Sequence, residues 1–404
     1  MNLASMTAQV LQVIRRACRP LSKTDIASAT GLSLSAVSEH VERLTSEKLI
    51  LGASVGMSSG GRKPKLYTLN EKAGWIVAVE LGTASVRVGI SDFDCKILDY
   101  KSTPMVMNEG PKKTLTRVHE LVEGMLDANG IEKRNVMGIG IGFPGPVEFA
   151  TGLPVSPPIM PGWDQYPIRE FWAQYFDCPC YVDNDVNIMA VGEHAKGLNF
   201  QVDNLIYIKI GTGIGAGIIV DGKLYRGING SAGDIGHIDV GLKVDCWCGN
   251  RGCLEALAGG KAIAARAKQL AQEGKSDFLR DRLKLQGDLT AKDVGLGLQS
   301  LDSASIELIR ESGDTIGRVL ASLVNFTNPS LVLIGGGVAE LGDILLASIR
   351  QGVYRRSLPL ATRNLAINQS SLGKMAGLIG GAYMTIDQLI SSRIDAPETA
   401  IIKS

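Results

Sequence analysis

The most constraining feature of this sequence is a pattern that occurs twice. Residues 76–100 read as three short strands with Glu80-Leu-Gly-Thr-Ala-Ser85 in the first turn, and residues 205–225 repeat this around Gly211-Thr-Gly-Ile-Gly-Ala-Gly217. Exposed backbone N–H groups in such turns can hold phosphates. One turn is weak evidence, but two equivalent turns about 130 residues apart predict a duplicated α/β lobe with a nucleotide between the halves.

A third glycine cluster extends the nucleotide hypothesis. It follows the apolar run Leu331-Val-Leu-Ile334 and is expected to end a strand and begin a helix, where an adenosine or phosphate group can bind. If ATP binds, the residues expected to hold it are Gly82, Thr83, Gly211, Thr212, Gly213, Gly335 and Gly336.

Between the two repeats, the segment Val182-Asp-Asn-Asp-Val-Asn187 places Asp185 at the end of an apolar strand. Ligands of open α/β sheets bind at the carboxyl ends of strands, and a carboxylate there can accept a proton from a substrate hydroxyl. The alternative is that this segment only caps the next helix, a role that Asp183 or Asn184 could fill equally well.

A cysteine-rich segment predicts a metal site. His237, Cys246, Cys248 and Cys253 form a set of four zinc ligands, and a site with all four positions taken by protein is structural. The metal would hold a glycine-rich loop that lacks apolar content. The alternative is three core cysteines beside an unrelated histidine. Cys178-Pro-Cys180 is interpreted as buried thiols at a strand edge rather than as a second metal or redox pair.

Residues 1–70 form a basic module on a mildly acidic body. They contain nine Lys and Arg against four Asp and Glu, whereas the other 334 residues contain 33 against 37. This balance favours a polyanion as the partner of the module.

The helical pattern of the module predicts a helix-turn-helix. Thr7–Cys18 has apolar residues at a period near 3.6, Ser22-Lys-Thr-Asp25 is a capping box for a second helix, and Gly31 precedes a third helix from Ser33 to about Glu47. The third helix of such a motif enters the DNA major groove. The residues expected to face the bases are Ser35, Ser38, Glu39, His40 and Arg43.

Two short strands around Ser58-Ser-Gly-Gly-Arg-Lys-Pro-Lys65 predict a wing. Arg62, Lys63 and Lys65 are expected to enter a minor groove. The alternative is a protein-interaction module with a solvated basic loop. Because a helix-turn-helix usually needs two copies one DNA turn apart, we expect a homodimer or a dimer of dimers on double-stranded operator DNA.

Membrane and secreted classes are not favoured. No run approaches the roughly eighteen apolar residues of a membrane helix, and Arg15, Arg16 and Arg19 follow the first apolar run rather than precede it, unlike in a signal peptide. Seven cysteines, an odd and clustered set, suit a reducing cytoplasm. We therefore expect a cytoplasmic location and no membrane partner.

Taken together, the motifs resemble those of the ROK family (repressors, open reading frames and sugar kinases) over nearly the whole chain. The matching motifs are SSGGRKP, GFPGPV, PGW, NDVN, GTGIGAG, GDIGH, CWCGNRGCLE and VLIGGGV. The resemblance implies an α/β fold with an N-terminal winged helix-turn-helix, residues 1–70, and a two-lobed actin-like ATPase body of the sugar-kinase type with a structural zinc loop. The expected first lobe is 71–186 plus 376–404, and the second lobe, with the zinc loop and a dimer interface, is 187–375.

The resemblance also implies roles for single residues. Asp185 matches the general base of the kinases, and Asn184, His237 and Glu255 match residues that bind sugar hydroxyls. Zinc on one ring nitrogen of His237 would leave the other nitrogen for the ligand. Together with Asp234, these residues form the expected sugar site.

The chain departs from the kinase pattern at three polar positions. Glu80 replaces an aspartate that helps to organise Mg-ATP. Its extra methylene moves the carboxylate by ~1.5 Å, and this shift matters because phosphoryl transfer depends on positioning. Ile159 replaces an asparagine, and Asp234 replaces a glutamate. These changes argue against Mg-ATP as a cofactor, whereas structural Zn²⁺ is expected.

These observations favour a sugar-responsive regulator, a repressor that binds DNA and is not an enzyme. The effector would be a sugar or sugar derivative between the lobes. An ATP-dependent sugar kinase, with or without DNA binding, is the alternative that the GTGIGAG turn and Asp185 favour. A protein–protein adaptor on an inactive kinase body is a third interpretation, which the basic wing disfavours.

Overall fold

The N-terminal module is a helix-turn-helix with a small sheet. The computed structural model describes residues 3–17, 19–53, 64–105, 109–157 and 160–395. The module consists of helices α1 (Leu3–Arg16), α2 (Lys23–Thr30) and α3 (Leu34–Ser46) and of strands β1 (Leu21–Ser22), β2 (Ile50–Ala53) and β3 (Leu66–Leu69), with β3 in the middle of the sheet. Its buried core includes Val10, Leu11, Ile26, Val37, Leu44 and Ile50.

Both predicted signals around α2 are present. Ser22 Oγ accepts the N–H of Asp25 at 3.1 Å, and the N–H of Ser22 donates to the Asp25 carboxylate at 2.9 Å, which forms the capping box. Gly31 ends α2 with a φ of 73° and donates its N–H to the carbonyl of Ala27. Because this left-handed conformation favours glycine, the turn into α3 depends on Gly31.

One predicted DNA contact is wrong. His40 is only 3% exposed, and its Nδ1 lies 2.9 Å from Oγ1 of Thr7 on α1. The ring therefore joins α3 to α1 and does not face the solvent side of α3. Burial also lowers the pKa of His40, which favours the neutral ring. The other predicted base-facing residues are exposed or half-buried, namely Ser35, Ser38, Glu39 and Arg43.

Part of the predicted wing lies within the described residues. Strands β2 and β3 pair antiparallel, with Ala53 opposite Leu66. Lys65, directly before β3, is exposed. Arg62 and Lys63 of the predicted wing tip lie outside the described residues, so their minor-groove contacts stay predictions.

The body contains two five-stranded sheets of the same topology. The first consists of β4 (Trp75–Leu81), β5 (Ser85–Ser91), β6 (Ile97–Pro104), β7 (Val136–Phe143) and β10 (Cys180–Asn184), with a separate hairpin of β8 (Val147–Glu148) and β9 (Leu153–Pro154). The second consists of β11 (Leu205–Ile210), β12 (Ile214–Val220), β13 (Lys223–Tyr225), β14 (Leu331–Gly335) and β15 (Ala366–Gln369). The orders are β6-β5-β4-β7-β10 and β13-β12-β11-β14-β15.

Each sheet has the same strand directions as well. The first three strands form an antiparallel meander, and the last two run parallel to the first strand. The duplicated α/β architecture predicted from the sequence is therefore confirmed.

The helices of the body pack around these sheets. They are α4 (Pro111–Ala128), α5 (Ile168–Ala173), α6 (Asp185–Gly192), α7 (Leu254–Ala258), α8 (Gly260–Gln272), α9 (Asp277–Gln286), α10 (Ala291–Gln299), α11 (Ser303–Thr327), α12 (Asp343–Arg356), α13 (Pro359–Thr362) and α14 (Ala376–Asp395). Helix α14 packs on α6, on β4 and β7, and on α1 of the N-terminal module. Over the described ranges, no helix combines the length and apolar character needed to cross a membrane.

Helix α6 occupies the centre of the body. It lies between α14 and strands of both sheets, and every residue from Asp185 to Ala190 is buried. A helix that is buried on all sides has no solvent face on which a polar residue can be placed freely. The polar residues at its start therefore need partners inside the protein, which makes this end of the helix a candidate site.

We expect Gly31→Ala to destabilise the helix-turn-helix by about 1–2 kcal/mol, since the left-handed conformation costs an alanine about that much. Among the described residues, nothing lies within 4 Å of the Cβ position, so backbone strain is the cause rather than a clash. Gly31→Asn is the matched control, because asparagine adopts this conformation more readily. Urea unfolding measures both variants, and an alanine variant as stable as the wild type would contradict the assignment.

Candidate ligand cleft and metal centre

The turns of the two repeated hairpins face each other. Oγ1 of Thr83, in the β4–β5 turn, donates to Oγ1 of Thr212, in the β11–β12 turn, at 3.0 Å. The N–H of Gly82 is used within its own turn, where it donates to the Ser85 carbonyl at 2.8 Å. The predicted phosphate-binding turns therefore meet across the gap between the two sheets and are joined directly in this structure.

The third glycine cluster lies beside the second turn. The N–H of Val338 donates to the Ile210 carbonyl at 2.9 Å, and the N–H of Gly260 donates to the Gly211 carbonyl at 2.8 Å. The end of β11, the third cluster and the start of α8 thus converge at one place. Of the seven predicted nucleotide residues, Gly335 lies at the end of β14, and the other six lie in the two hairpin turns or in the third glycine cluster.

The helix expected after this cluster is a single helical turn. Helix α12 begins only at Asp343, after a short helical turn at Ala339–Leu341. Gly335 is the last residue of β14, and a Cβ on it would overlap the hydroxyl of Tyr207. Packing against Tyr207 accounts for the glycine at position 335 without a ligand.

Four charged side chains meet below the turns. Lys209 on β11 donates to the carboxylate of Asp185 on α6, and Arg87 on β5 donates to the carboxylate of Glu80 on β4. The Asp185 and Glu80 side chains are each only 4% exposed. Burial alone would lower the pKa of Lys209, but the charges of Asp185 and Glu80 outweigh it and raise that pKa. Lys209 is therefore a fixed cation beside the residue that matches the kinase base.

Glu80 is enclosed rather than directed into the cleft. Its Oε1 accepts from Arg87, and its Oε2 is buried without a hydrogen-bond partner among the described residues. Gly377 of α14 passes so close that a Cβ on it would overlap Oε2. Burial raises the pKa of Glu80 despite the nearby Arg87 and Lys209. The position expected to organise Mg-ATP is thus part of an internal ion pair.

The sequence offered one signal for this arrangement. Lys209 is the single charged residue in the apolar strand Leu205–Ile210, and a charge in a buried strand needs a partner. That partner, Asp185, is one of the site residues that the sequence predicts, but the pairing itself depends on how the two halves dock. Ile159, the third departure from the kinase pattern, lies outside the described residues.

Asn184 caps α6. Its Oδ1 accepts the N–H of Val186 at 2.9 Å and of Asn187 at 3.3 Å, and its Nδ2 donates to the Gly145 carbonyl at 3.0 Å. The structural alternative considered from the sequence is therefore correct for Asn184, although one N–H of its amide remains for a ligand. Because Asn184 supplies the cap, the carboxylate of Asp185 is left to pair with Lys209.

A second buried ion pair was not predicted. Arg226, after β13, donates to Asp183 Oδ2 from Nε at 2.9 Å and from Nη2 at 2.8 Å. Its guanidinium lies 3.8 Å from the ring centroid of Phe149. The other oxygen of Asp183 accepts from Asn187 at 2.9 Å. This pair joins the strand that ends at Asn184 to the segment after the second repeat and so holds the two halves together.

The four predicted metal ligands come together. The ligand atoms of His237, Cys246, Cys248 and Cys253 all lie within 4.8 Å of one another. Cys248 Sγ lies 3.7 Å from Cys253 Sγ, and Cys246 Sγ lies 3.6 Å from His237 Nδ1. Two sulfurs on a tetrahedral zinc, each ~2.3 Å from the metal, are ~3.8 Å apart. The donor set and its spacing therefore fit a tetrahedral metal ion.

The metal cluster is connected to the second turn. Cys253 is the N-cap of α7, and Glu255 in the first turn of that helix accepts the N–H of Ile214 at 3.0 Å. His237 Nε2 lies 3.9 Å from a carboxylate oxygen of Asp234. The predicted ligand residues thus form two groups. Asn184 and Asp185 begin α6, whereas Asp234, His237 and Glu255 lie on the segments that lead into and out of the metal cluster.

Cys178 and Cys180 do not behave as a reactive pair. Burial raises the pKa of Cys178 to about 11 and also raises that of Cys180. Because the thiolate is the metal ligand and the nucleophile, such thiols are poor at both tasks. The interpretation as buried thiols at a strand edge is favoured.

The fold defines a class of protein, a DNA-binding module on a duplicated, two-lobed α/β body. A profile described as "ROK family" matches residues 76–388, and one described as "Winged helix-turn-helix DNA-binding" matches residues 7–50. The chain belongs to the ROK family, and its body has the actin-like fold of sugar kinases.

Individual proteins show the same relationship. The xylose repressor of Caldicellulosiruptor bescii is 31% identical over 92% of this chain and 93% of its own length. A glucokinase of Halalkalibacterium halodurans is 33% identical over 78% of this chain and 96% of its own length. The crystal structure of a ROK family transcriptional regulator, a homologue of the E. coli MLC protein, superposes with a TM-score of 0.83 at 25% identity and covers 97% of both chains. The similarity to regulators thus includes the N-terminal module.

We predict that Cys248→Ala loses the bound metal and lowers the melting temperature, because three ligands no longer close the site. Cys178→Ala is the matched control, since it removes a thiol outside the cluster. Metal content per chain by mass spectrometry and a thermal melt measure the two effects. A Cys248→Ala protein with wild-type metal content and melting temperature would refute the metal site.

A double-mutant cycle is expected to show a favourable coupling free energy between Lys209 and Asp185. Lys209→Met leaves a buried, unpaired carboxylate and should cost about 3 kcal/mol of unfolding free energy. In the double variant Lys209→Met/Asp185→Asn most of that loss should be recovered, since no unpaired charge remains. Chemical unfolding of the four proteins gives the coupling energy. A value near zero would show that the two side chains do not interact.

Proposed function

We propose that this protein is a transcriptional regulator that binds operator DNA and changes its affinity for DNA when a sugar or sugar derivative occupies the cleft. The observation that carries the proposal is the pairing of Asp185 with Lys209 in a body joined to a helix-turn-helix. The cleft keeps the groups that bind a hydroxyl, but the group that would remove its proton is held in an ion pair.

The ion pair suits binding rather than phosphoryl transfer. A sugar hydroxyl can donate to the carboxylate of Asp185 and accept from the ammonium of Lys209, so both halves of the pair recognise one polar group. A kinase base must instead accept the proton while Mg-ATP is aligned in line with the hydroxyl. With Glu80 paired to Arg87, neither carboxylate is free for that task. The similarity to a xylose repressor supports a sugar as effector.

DNA recognition is assigned to α3 and the wing. The exposed side of α3 bears Ser35, Glu39 and Arg43 at the position where a helix-turn-helix contacts bases. The module holds the excess of positive charge, so its affinity should fall steeply with salt as counterions are released. One module reads one half-site, and we propose a homodimer or a dimer of dimers as the DNA-bound form, acting as a repressor in the cytoplasm.

We propose Zn²⁺ as the metal of the cluster, held by His237, Cys246, Cys248 and Cys253. When bound, it supplies a rigid tetrahedral crosslink and no reactive position. The chain's own residues do the rest. Cys253 starts α7, and Glu255 fixes the second turn through Ile214. His237 Nε2 and Asp234 are left on the ligand side.

We propose that the lobes divide as the motifs imply, with 1–70 for DNA binding, 71–186 plus 376–404 for the first lobe, and 187–375 for the second. Separate apolar clusters support two lobes, since one cluster surrounds β4, β5 and β7 and another surrounds β11, β12 and β14. The ligand would lie between these cores, and the dimer interface on the second lobe.

A sugar kinase is the second candidate function. The glucokinase relative and the second glycine turn favour it, as does the position of Asp185 directly after β10. It requires that Asp185 leave Lys209 and that the Thr83–Thr212 contact open to admit ATP. We rank it below regulation because both changes break contacts that the structure contains.

The test is a DNA-binding titration in which the zinc-loaded, full-length protein binds a duplex selected on it from a randomised pool. We expect at least one of xylose, glucose and N-acetylglucosamine to change the dissociation constant by about fivefold or more, the usual range of coupling between sites. Asp185→Asn should bind the duplex normally without sugar and lose the sugar effect. A wild-type affinity that none of these sugars changes would contradict the proposal.

Arg43→Ala is predicted to weaken binding of the selected duplex about tenfold or more, since a base contact contributes about 1–3 kcal/mol. Arg280→Ala removes an equal charge from the body, where Arg280 pairs with Asp277, and should leave DNA affinity unchanged. Fluorescence anisotropy measures both variants. Equal effects would mean that overall charge, not contact through α3, determines affinity.

A further inference from the structure

Helix α6 connects the cleft to the side of the body that faces the DNA-binding module. Its first residue is Asp185, which pairs with Lys209 on the second sheet, so the start of the helix lies where the two halves of the body meet. Its other end continues into a π-helical turn, Glu193–Gly197. Such turns are rare and occur frequently at functional sites. A displacement at the start of this helix has a route to its far end, because every residue of the helix except Val191 is buried.

A buried carboxylate joins the far end of α6 to the start of α14. Glu193 is fully buried, and its carboxylate accepts from the hydroxyls of Ser370 and Ser371 and, at 2.8 Å, from the N–H of Leu372. These residues lead into α14, which begins at Ala376. None of these contacts involves a predicted ligand residue. They join the end of α6 to the segment before α14.

Helices α6 and α14 also touch backbone to backbone. A Cβ on Gly192 would overlap the carbonyl oxygen of Ala376, and a Cβ on Gly380 would overlap the carbonyl oxygen of Ile188. Close-packed interiors transmit displacement rather than absorb it. With no side chain between them at the crossing, the two helices are positioned to move together.

Two arginines of α1 contact aromatic rings next to α6 and α14. The Arg15 guanidinium lies 3.9 Å from the ring centroid of Tyr383 on α14, and its Nη2 lies 3.4 Å from Sγ of Cys95. Arg16 lies 4.5 Å from the ring centroid of Phe200. Phe200 in turn packs edge-on against His194 of the π-helical turn, at 5.1 Å between centroids. The module core is continuous with residues of α14.

We propose that α6 and α14 form one unit that transmits occupancy of the cleft to the DNA-binding module, with Arg15 and Arg16 as its positioning residues. Although both are basic, they set the orientation of α1 and do not contact DNA. The proposal rests on the proposed function, because it states how the same cleft controls DNA binding. A ligand that shifts Asp185 moves the start of α6, and the π-helical turn carries that shift through Phe200 to Arg16.

Arg16→Ala tests the contact. Its matched control is Arg19→Ala, which removes an equal charge from a residue whose hydrogen bonds among the described residues, to Asp25 and to the Pro20 carbonyl, lie within the module. Phe200→Ala removes the same contact from the body side. All three are titrated with the selected duplex in the presence and absence of whichever of xylose, glucose and N-acetylglucosamine binds the protein by calorimetry.

Arg16→Ala and Phe200→Ala should bind the sugar with wild-type affinity, while the sugar-induced fold-change in DNA affinity falls at least threefold. Arg19→Ala should keep the wild-type fold-change. Circular dichroism and thermal melts confirm that each variant is folded. Wild-type fold-changes in both Arg16→Ala and Phe200→Ala would overturn the proposal.

Hydrogen exchange separates this inference from the identity of the effector. Binding of the duplex alone should slow amide exchange in residues 193–200 and in α14 of the wild type, because coupling between sites is reciprocal, and should not do so in Arg16→Ala. If no sugar alters DNA binding, the proposed function fails, yet this exchange difference still decides the transmission route. Equal exchange patterns in the two proteins would overturn it.

Discussion

The geometry of the cleft depends on the ion pair between the half-buried ammonium of Lys209 and the buried carboxylate of Asp185. Taking charges out of water is costly, and a buried pair is tolerated because each partner compensates the other. The charge of Lys209 compensates that of Asp185, and the charge of Arg87 compensates that of Glu80. The four formal charges sum to zero, and the ammonium of Lys209 occupies one oxygen of the Asp185 carboxylate.

Further contacts lie around these four charged side chains. The two repeated turns meet at Thr83 and Thr212. The ion pair between Arg226 and Asp183 joins the two halves of the body. Glu255, two residues after the predicted metal ligand Cys253, accepts the N–H of Ile214 at the second turn. The two repeated turns and the two halves of the body are thus joined by direct contacts.

Features that depend on neighbours in the chain were predictable from the sequence. The capping box at Ser22, the turn at Gly31 and the close spacing of Cys246, Cys248 and Cys253 involve residues a few positions apart, so the pattern determines the geometry. The duplication was also visible, because each hairpin repeats its own strand and turn signals. In each of these, local physics and the final fold agree.

Features that depend on docking between distant segments could not be predicted. Whether His40 faces DNA or α1 depends on how Thr7 approaches it, since both sides of a short helix bear polar residues. The burial of Glu80 requires α14, nearly 300 residues later in the chain. The same holds for Arg226, whose partner Asp183 lies in another sheet, and for the π-helical turn, which has no sequence pattern of its own in this chain.

The most direct test of this account measures sugar affinity of the zinc-loaded protein by calorimetry with and without Mg-ATP, together with the formation of ADP. If the Lys209–Asp185 pair makes the cleft a binding site, a sugar binds with the same affinity, within about twofold, in both conditions, and no ADP forms above background. Sugar binding that requires Mg-ATP, or ADP produced in proportion to added sugar, would contradict the account and establish a kinase.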